Sequence, residues 1–201
     1  MLLDDVKIVV EDSSQVETTD LYNFLRQTPN HKVLGFAKLQ LATYNLSGHD
    51  STKWYNKWLR RMGQPPVIYS DELTDASQRQ LRQALVNKGY MDAQVEVDTI
   101  PRHDKKKIKV RYRLRPGMPH TISSIIYDIP DTAMAGIVLR DSANFTLRPG
   151  DLLDRTELDT ERALITERLR NRGYYAFTKE YITFIADTAA GSKDVDLTLT
   201  V

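Results

Sequence analysis

The stretch Leu85-Val86-Asn87-Lys88-Gly89-Tyr90 returns later in the chain as Leu169-Arg170-Asn171-Arg172-Gly173-Tyr174. A glycine just past the last helical turn can take the left-handed conformation that closes a helix without a Cβ penalty. Lys88 and Arg172 stand where the helix dipole favours positive charge. Each copy follows a polar, basic helix end and precedes an alternating strand pattern. The tyrosine after each glycine can pack back beneath the helix as the chain turns into a strand. One such stop fits many folds. Two, each followed by a strand pair, predict a repeated module.

Taken in order, the chain fits that reading. Val6-Lys7-Ile8-Val9-Val10 is a β-rich run closed by the polar turn Glu11-Asp12-Ser13-Ser14. Leu21, Phe24 and Leu25 recur at helical spacing over residues 16–27, and Pro29-Asn30 stops them. Leu34, Ala37, Leu41 and Tyr44 give a second helical stripe. Trp54, Tyr55, Trp58, Leu59 and Met62 give a third, ended by Gly63 and Pro65-Pro66. Because the two tryptophans follow the helix period, core packing is preferred over a ligand platform. Val67-Ile68-Tyr69 is an extended link, and residues 71–88 form a helix with Leu81, Ala84 and Leu85 inward. Residues 94–98 and 107–114 alternate as strands, joined by a hairpin loop over 100–104, and Pro116-Gly117 closes the unit.

The second unit opens with a strand over 122–129 and a short helix carrying Met134, Ile137 and Val138. A turn over 147–151 leads to a charged helix over 154–172 with Leu158, Ile165 and Leu169 on one face. Strands over 181–185 and 194–201, with a turn over 189–192, end the chain. The fold class expected is α+β, in two tandem modules over 1–116 and 117–201, the first with an extra helical insertion. Each would be a three-stranded mixed sheet covered on one face by helices. The last two strands pair as an antiparallel hairpin, and the first reaches its neighbour by a helical crossover.

Composition removes several function classes. Net charge is +1, so nothing in bulk electrostatics calls for nucleic acid or an anionic membrane. Cysteine is absent, which excludes disulfides, thiolate nucleophiles and Cys-ligated zinc without fixing the compartment. No apolar run is long enough to span a bilayer as a helix, and the N-terminus does not read as a signal peptide. The chain enters a strand pattern at once and ends inside another, which predicts a piece of a larger protein.

The order strand-helix-helix-strand-strand, with Asn-Lys-Gly-Tyr or Asn-Arg-Gly-Tyr ahead of the hairpin, resembles POTRA domains. These are the periplasmic repeats of outer-membrane assembly factors of the BamA/TamA type. Arg148-Pro149-Gly150-Asp151 ahead of Leu158-Asp159-Thr160-Glu161-Arg162, and Leu169 through Phe177, are especially similar to that family. Leu25-Arg26-Gln27-Thr28-Pro29-Asn30 and Gly63-Gln64-Pro65-Pro66-Val67 resemble the version found in Bacteroides-type bacteria. The resemblance implies a sheet whose last strand is central and whose second strand lies at an edge. It implies a periplasmic location, attached to the outer membrane through a C-terminal β-barrel absent from this sequence. The partners it implies are unfolded outer-membrane proteins and accessory lipoproteins, with no cofactor. The first unit departs from the pattern by being longer than a usual repeat.

The site residues follow from that frame. Gln94, Val95, Glu96, Val97 and Asp98, and Tyr181, Ile182, Thr183, Phe184 and Ile185, are expected as second strands offering an edge to an extended peptide. Lys107, Lys109, Arg111 and Arg113, with Lys105, Lys106 and Arg115 alongside, form the one conspicuous basic cluster. Alternation puts the charges after Lys107 on one strand face, with Tyr112 on the other. That pattern suits a solvated sheet face, then contact with an anionic partner, and is not the aromatic-interleaved face nucleic acid wants. His31, His49, His103 and His120 share no metal-ligand spacing, and Asp92, Glu96 and Asp98 read as solvated strand charges rather than an acid/base pair. No catalytic fingerprint is present. The expected function is therefore a non-catalytic receiver of β-barrel precursors. Two other classes remain beside it: an adaptor for fixed partners in a cell-division or secretion machine, and a small hydrolase with unrecognised residues. A barrel pattern or an N-terminal membrane helix in the full gene separates the first two.

Overall fold

Both glycine stops form, with the same bonds. The helix α1 (Asp71–Asn87) runs into Gly89 at φ 91°, and a later helix, α3 (Arg155–Asn171), runs into Gly173 at φ 105°. At the first stop the Tyr90 N–H donates to the Leu85 carbonyl at 3.0 Å and the Gly89 N–H to Val86 at 3.1 Å. At the second the Tyr174 N–H donates to Leu169 at 3.1 Å and the Gly173 N–H to Arg170 at 3.1 Å. Orphan carbonyls of the last turn are satisfied in this way only if the closing residue turns left-handed, which glycine does without strain. At its other end α3 is capped by Asp154, whose side chain accepts the Thr156 N–H at 2.7 Å.

The computed structural model describes residues 1–11, 16–30, 64–102, 106–140, 144–189 and 191–201, with Leu46, Trp54, Trp58 and Arg61 as isolated positions. These divide into two compact units, Met1–Arg82 with Gln94–Arg115, and Gln83–Ala93 with Pro116–Val201. In the first, β1 (Leu2–Val10), β2 (Gln94–Arg102) and β3 (Lys107–Arg115) form a sheet in the order β1-β3-β2. In the second, β4 (Thr121–Asp128), β5 (Thr183–Asp187) and β6 (Asp194–Thr200) repeat it as β4-β6-β5. The first strand of each sheet runs parallel to the last, and the second runs antiparallel to it. The last strand is central, as expected.

Burial follows the alternation. Ile108, Val110, Tyr112 and Leu114 are buried along β3, and Val195, Leu197 and Leu199 along β6. Thr74, Ser77 and Leu81 are buried on α1, at the spacing of one helix face. In the second unit α3 and the short α2 (Thr132–Arg140) supply Ile165, Leu169 and Val138 to a cluster with Phe145, Phe177, Ile182 and Leu199.

The repeat extends to an isolated pair on the first strand of each sheet. Leu2 bridges to Ile68, and Thr121 bridges to Leu152. In both cases the segment just ahead of the long helix covers the start of the first strand's outer side. Val67-Ile68-Tyr69, expected as a plain link, is therefore part of the sheet's edge.

Three expectations need correction or lie elsewhere. The helix expected over 16–27 is a single 3-10 turn, Asp20–Phe24, with Leu21 buried and Phe24 exposed. Leu25 is already extended, and the Arg26 N–H donates to the Ser77 hydroxyl at 2.9 Å instead of to a helical carbonyl. Trp54 and Trp58 are helical but 79% and 55% exposed, so they do not pack into a core as the stripe predicted. The stripe over 34–44, and Tyr55, Leu59 and Met62, lie outside the described residues.

Candidate strand-binding edges

A strand can be added only where backbone N–H and C=O groups point away from the sheet. The Glu11 N–H donates to the Leu114 carbonyl at 3.0 Å, so Leu114 faces β1. Its antiparallel partner Val95 then makes no ladder bonds to β3 and turns both polar groups outward. Alternation places Val97 and Thr99 outward as well, and Glu96 and Asp98 toward β3. Pro101, which has no N–H to give a ladder, falls on the outward set, as that register requires. In the second sheet the Val201 N–H donates to Asp128 at 3.3 Å, so Leu199 and Leu197 face β4. Their partners Phe184 and Ala186 are the outward residues of β5.

A side chain from the covering helix sits at the start of each of these two edges. Gln78 Nε2 donates to the Val95 carbonyl at 2.6 Å, and Arg162 Nε donates to the Ile182 carbonyl at 2.8 Å. Gln78 and Arg162 stand the same distance before their glycine stops, so this is one device used twice. The residue before each is an anchor for the incoming segment. Ser77 Oγ accepts the Arg26 N–H, and Glu161 Oε2 accepts the Thr146 N–H at 2.7 Å and its hydroxyl at 2.6 Å. None of these four roles was read from the sequence, although counting back from the glycines would have paired the positions.

The expected edge residues fall as follows. Gln94 through Asp98 lie in β2, with Val95 buried. Tyr181 belongs to a 3-10 turn, Lys179–Tyr181, and Ile182 is fully buried with its N–H donated to Lys179, so β5 begins only at Thr183. Thr183, Phe184 and Ile185 are in the strand. β2 is the longer edge, at 9 residues against 5.

The model of the POTRA family, described as surface antigen variable number repeat, matches residues 6–117, more than half of the chain. The chain belongs to the POTRA family. Among solved structures it is similar to POTRA domains 3–5 of BamA from Haemophilus influenzae, at 13% identity and TM-score 0.41, covering 100% of this chain and 60% of that one. It is also similar to BamA from Haemophilus ducreyi lacking POTRA domains 1–3, at 14% identity and TM-score 0.45, covering 100% of this chain and 29% of that one. POTRA domains 1–2 of Omp85 from Anabaena align at 13% identity and TM-score 0.40, covering 98% and 93%. The chain thus spans less than two thirds of the first two structures it resembles. No curated protein sequence matches it.

On this POTRA chain three basic side chains of β3 are held by acids of β2, of β1 and of the residue that follows β1. Lys109 pairs with Asp5 at 3.4 Å, Arg113 with Asp98 at 2.9 Å and Glu96 at 3.1 Å, and Arg115 with Glu11 at 2.6 Å and Glu96 at 2.7 Å. The Arg115 guanidinium bonded to Glu11 holds that carboxyl below its ordinary range. Arg111 is exposed on the same face, and Lys107 is half-buried at its start. The matching face of the second sheet uses hydroxyls instead, Thr121 on Asp194 at 3.2 Å and Ser124 on Asp196 at 2.6 Å.

Asp92 pairs with Lys193, and His120 is buried with its ring Nδ1 3.3 Å from the Gly89 carbonyl. His31, His49 and His103 lie outside the described residues. Among the described residues no cluster of acids and histidines could hold a metal, and no helix is long and apolar enough to cross a membrane.

Proposed function

We propose that this chain is the periplasmic POTRA region of an outer-membrane β-barrel assembly protein, with modules at 1–116 and 117–201. Unfolded barrel strands would be received by addition to β2 and, over a shorter length, to β5. The observation that carries this reading is the outward backbone of Val97 and Thr99, on an edge strand whose inward side is fully paired. Such an edge reads backbone and is indifferent to side-chain identity, which suits clients that share alternating polarity but no sequence. Glu96 and Asp98 lie within the ion pairs of the outer face and keep the edge from associating with itself.

The test is photocrosslinking of an unfolded barrel-strand peptide to the wild-type chain and to variants. Val97→Pro and Thr99→Pro each remove an outward donor and leave the ladder to β3 intact. Ala186→Pro does the same on β5. All three should lose capture on their own edge, while Glu96→Gln, whose N–H faces inward, should retain it. Folded proline variants that capture peptide as well as wild type would end the edge reading.

A further inference from the structure

The two edges differ in charge at the position where the covering helix meets them. In the second unit a groove of about 510 Å³ runs between α3 and β5, lined by Arg155, Leu158, Asp159, Arg162, Thr183 and Phe184 among others. Arg162 bridges two of its sides: Nε is bonded to the Ile182 carbonyl at 2.8 Å and Nη1 to Asp159 at 3.2 Å, and Lys179 shares Asp159 at 3.3 Å. Asp159 is thus already matched by two cations, and Arg155 adds a third positive charge to the groove. The equivalent positions of α1, counted from the glycine stop, are Asp71 for Arg155, Asp75 for Asp159 and the neutral Gln78 for Arg162. At these three positions the α3 flank carries two arginines and an aspartate, and the α1 flank two aspartates and a glutamine.

We infer that the β5 edge and its α3 flank form a site for an extended peptide carrying a carboxylate, with Arg162 as the residue that selects it. The inference rests on strand addition at β5, proposed above. A strand paired to Phe184 and Ala186 brings its next side chain toward Ile182. A carboxylate there gives the guanidinium a charged acceptor in place of a neutral carbonyl, and charge-assisted bonds are the stronger kind. As Arg162 swings to the ligand, the Ile182 carbonyl becomes free to extend the ladder. The groove therefore favours an acidic strand over its neutral isostere. The β2 edge, met by the neutral Gln78 where β5 has Arg162, does not.

The experiment uses fluorescein-labelled peptides of alternating Val and Thr, identical except for one Glu or Gln at the end facing Ile182, titrated by anisotropy. To isolate β5, the 201-residue chain carries Thr99→Pro throughout. The Glu peptide should bind roughly three- to fivefold tighter than the Gln peptide, an exposed ion pair's worth, and high salt should erase the difference. Arg162→Gln should abolish the preference while still binding the Gln peptide, and Arg162→Lys should restore part of it. An Arg162→Gln chain that keeps the full preference overturns the assignment of Arg162. Equal binding of both peptides to the parent overturns the charge selection and leaves strand addition standing. Failure of both peptides to bind, with Ala186→Pro changing nothing, removes the β5 edge itself and this site with it.

Discussion

Gly89 and Gly173 close their helices with the same bonds and nearly the same φ, yet their surroundings are opposite. A Cβ at Gly89 would lie 3.3 Å from the backbone oxygens of His120 and Leu153 and 3.4 Å from the Leu153 nitrogen, all of which belong to the same compact unit as Gly89. The His120 N–H also donates to the Gly89 carbonyl at 2.8 Å. At Gly173 a Cβ would meet nothing within 4 Å. One motif therefore serves two purposes. At Gly173 the missing side chain answers a local need for left-handed backbone; at Gly89 it also admits a close approach of another segment.

The sharpest way to break that comparison is alanine at each glycine. Gly173→Ala should lose about 1 kcal/mol, the conformational term alone. Gly89→Ala should lose roughly 2–3 kcal/mol, because backbone oxygens cannot move aside as a flexible side chain can. Urea unfolding resolved by amide exchange would measure both, and equal losses would show that crowding at Gly89 is relieved cheaply. A second contrast lies at the anchors. Glu161→Ala strands the Thr146 N–H and should lose about 2 kcal/mol, while Ser77→Ala should lose about 1, having one such bond fewer. Glu161→Gln, which keeps the acceptor, should recover most of the loss.

Smaller effects are expected at the edge clamps, since both are partly exposed. Gln78→Ala and Arg162→Ala should each change stability by less than about 1 kcal/mol, and should raise amide exchange at the start of β2 or β5 more than elsewhere. The smallest effect is electrostatic. Glu11 is held below its ordinary value of 4.5 by Arg115, Asp159 below 3.8 by Lys179 and then Arg162, and Asp92 below 3.8 by Lys193. A carboxyl whose folded pKa is depressed contributes stability above its unfolded pKa and loses it as pH falls through the folded one. Urea midpoints should therefore hold steady near neutrality and decline as pH falls below about 4, less steeply in high salt. A midpoint that rises on acidification would contradict these pairs.

How much of this was legible depended on how far apart the interacting residues lie. The two glycine helix stops and the alternation of β3 and β6 are local patterns, and the structure has them as expected; the loop expected over 100–104 is shorter, because β2 runs on through Arg102 against β3. The helix over 16–27 was misread because its apolar spacing says nothing of Ser77, which takes the Arg26 N–H from far along the chain. The start of β5 was placed two residues early because Tyr181 and Ile182 belong to an apolar run whether they enter a 3-10 turn or a strand. Glu161 looked like one more charge on a charged helix and is buried against Thr146. Its role lies in bonds to a segment 15 residues earlier in the chain, which helical periodicity does not report.

The sequence alone determined the module: where the two long helices stop, which strand faces are apolar, and that the pattern occurs twice. These follow from steric rules and side-chain periodicity that act within a few residues. Among the described residues, the tertiary structure decided which edges no further strand covers. β1 and β4 have Ile68 and Leu152 against their outer sides, while β2 and β5 keep outward groups at Val97, Thr99, Phe184 and Ala186. Alternation in the sequence tells which face a side chain takes, but the direction of an N–H depends on which neighbour the strand pairs with. That choice is made between segments far apart in the chain, by the packing that brings them together.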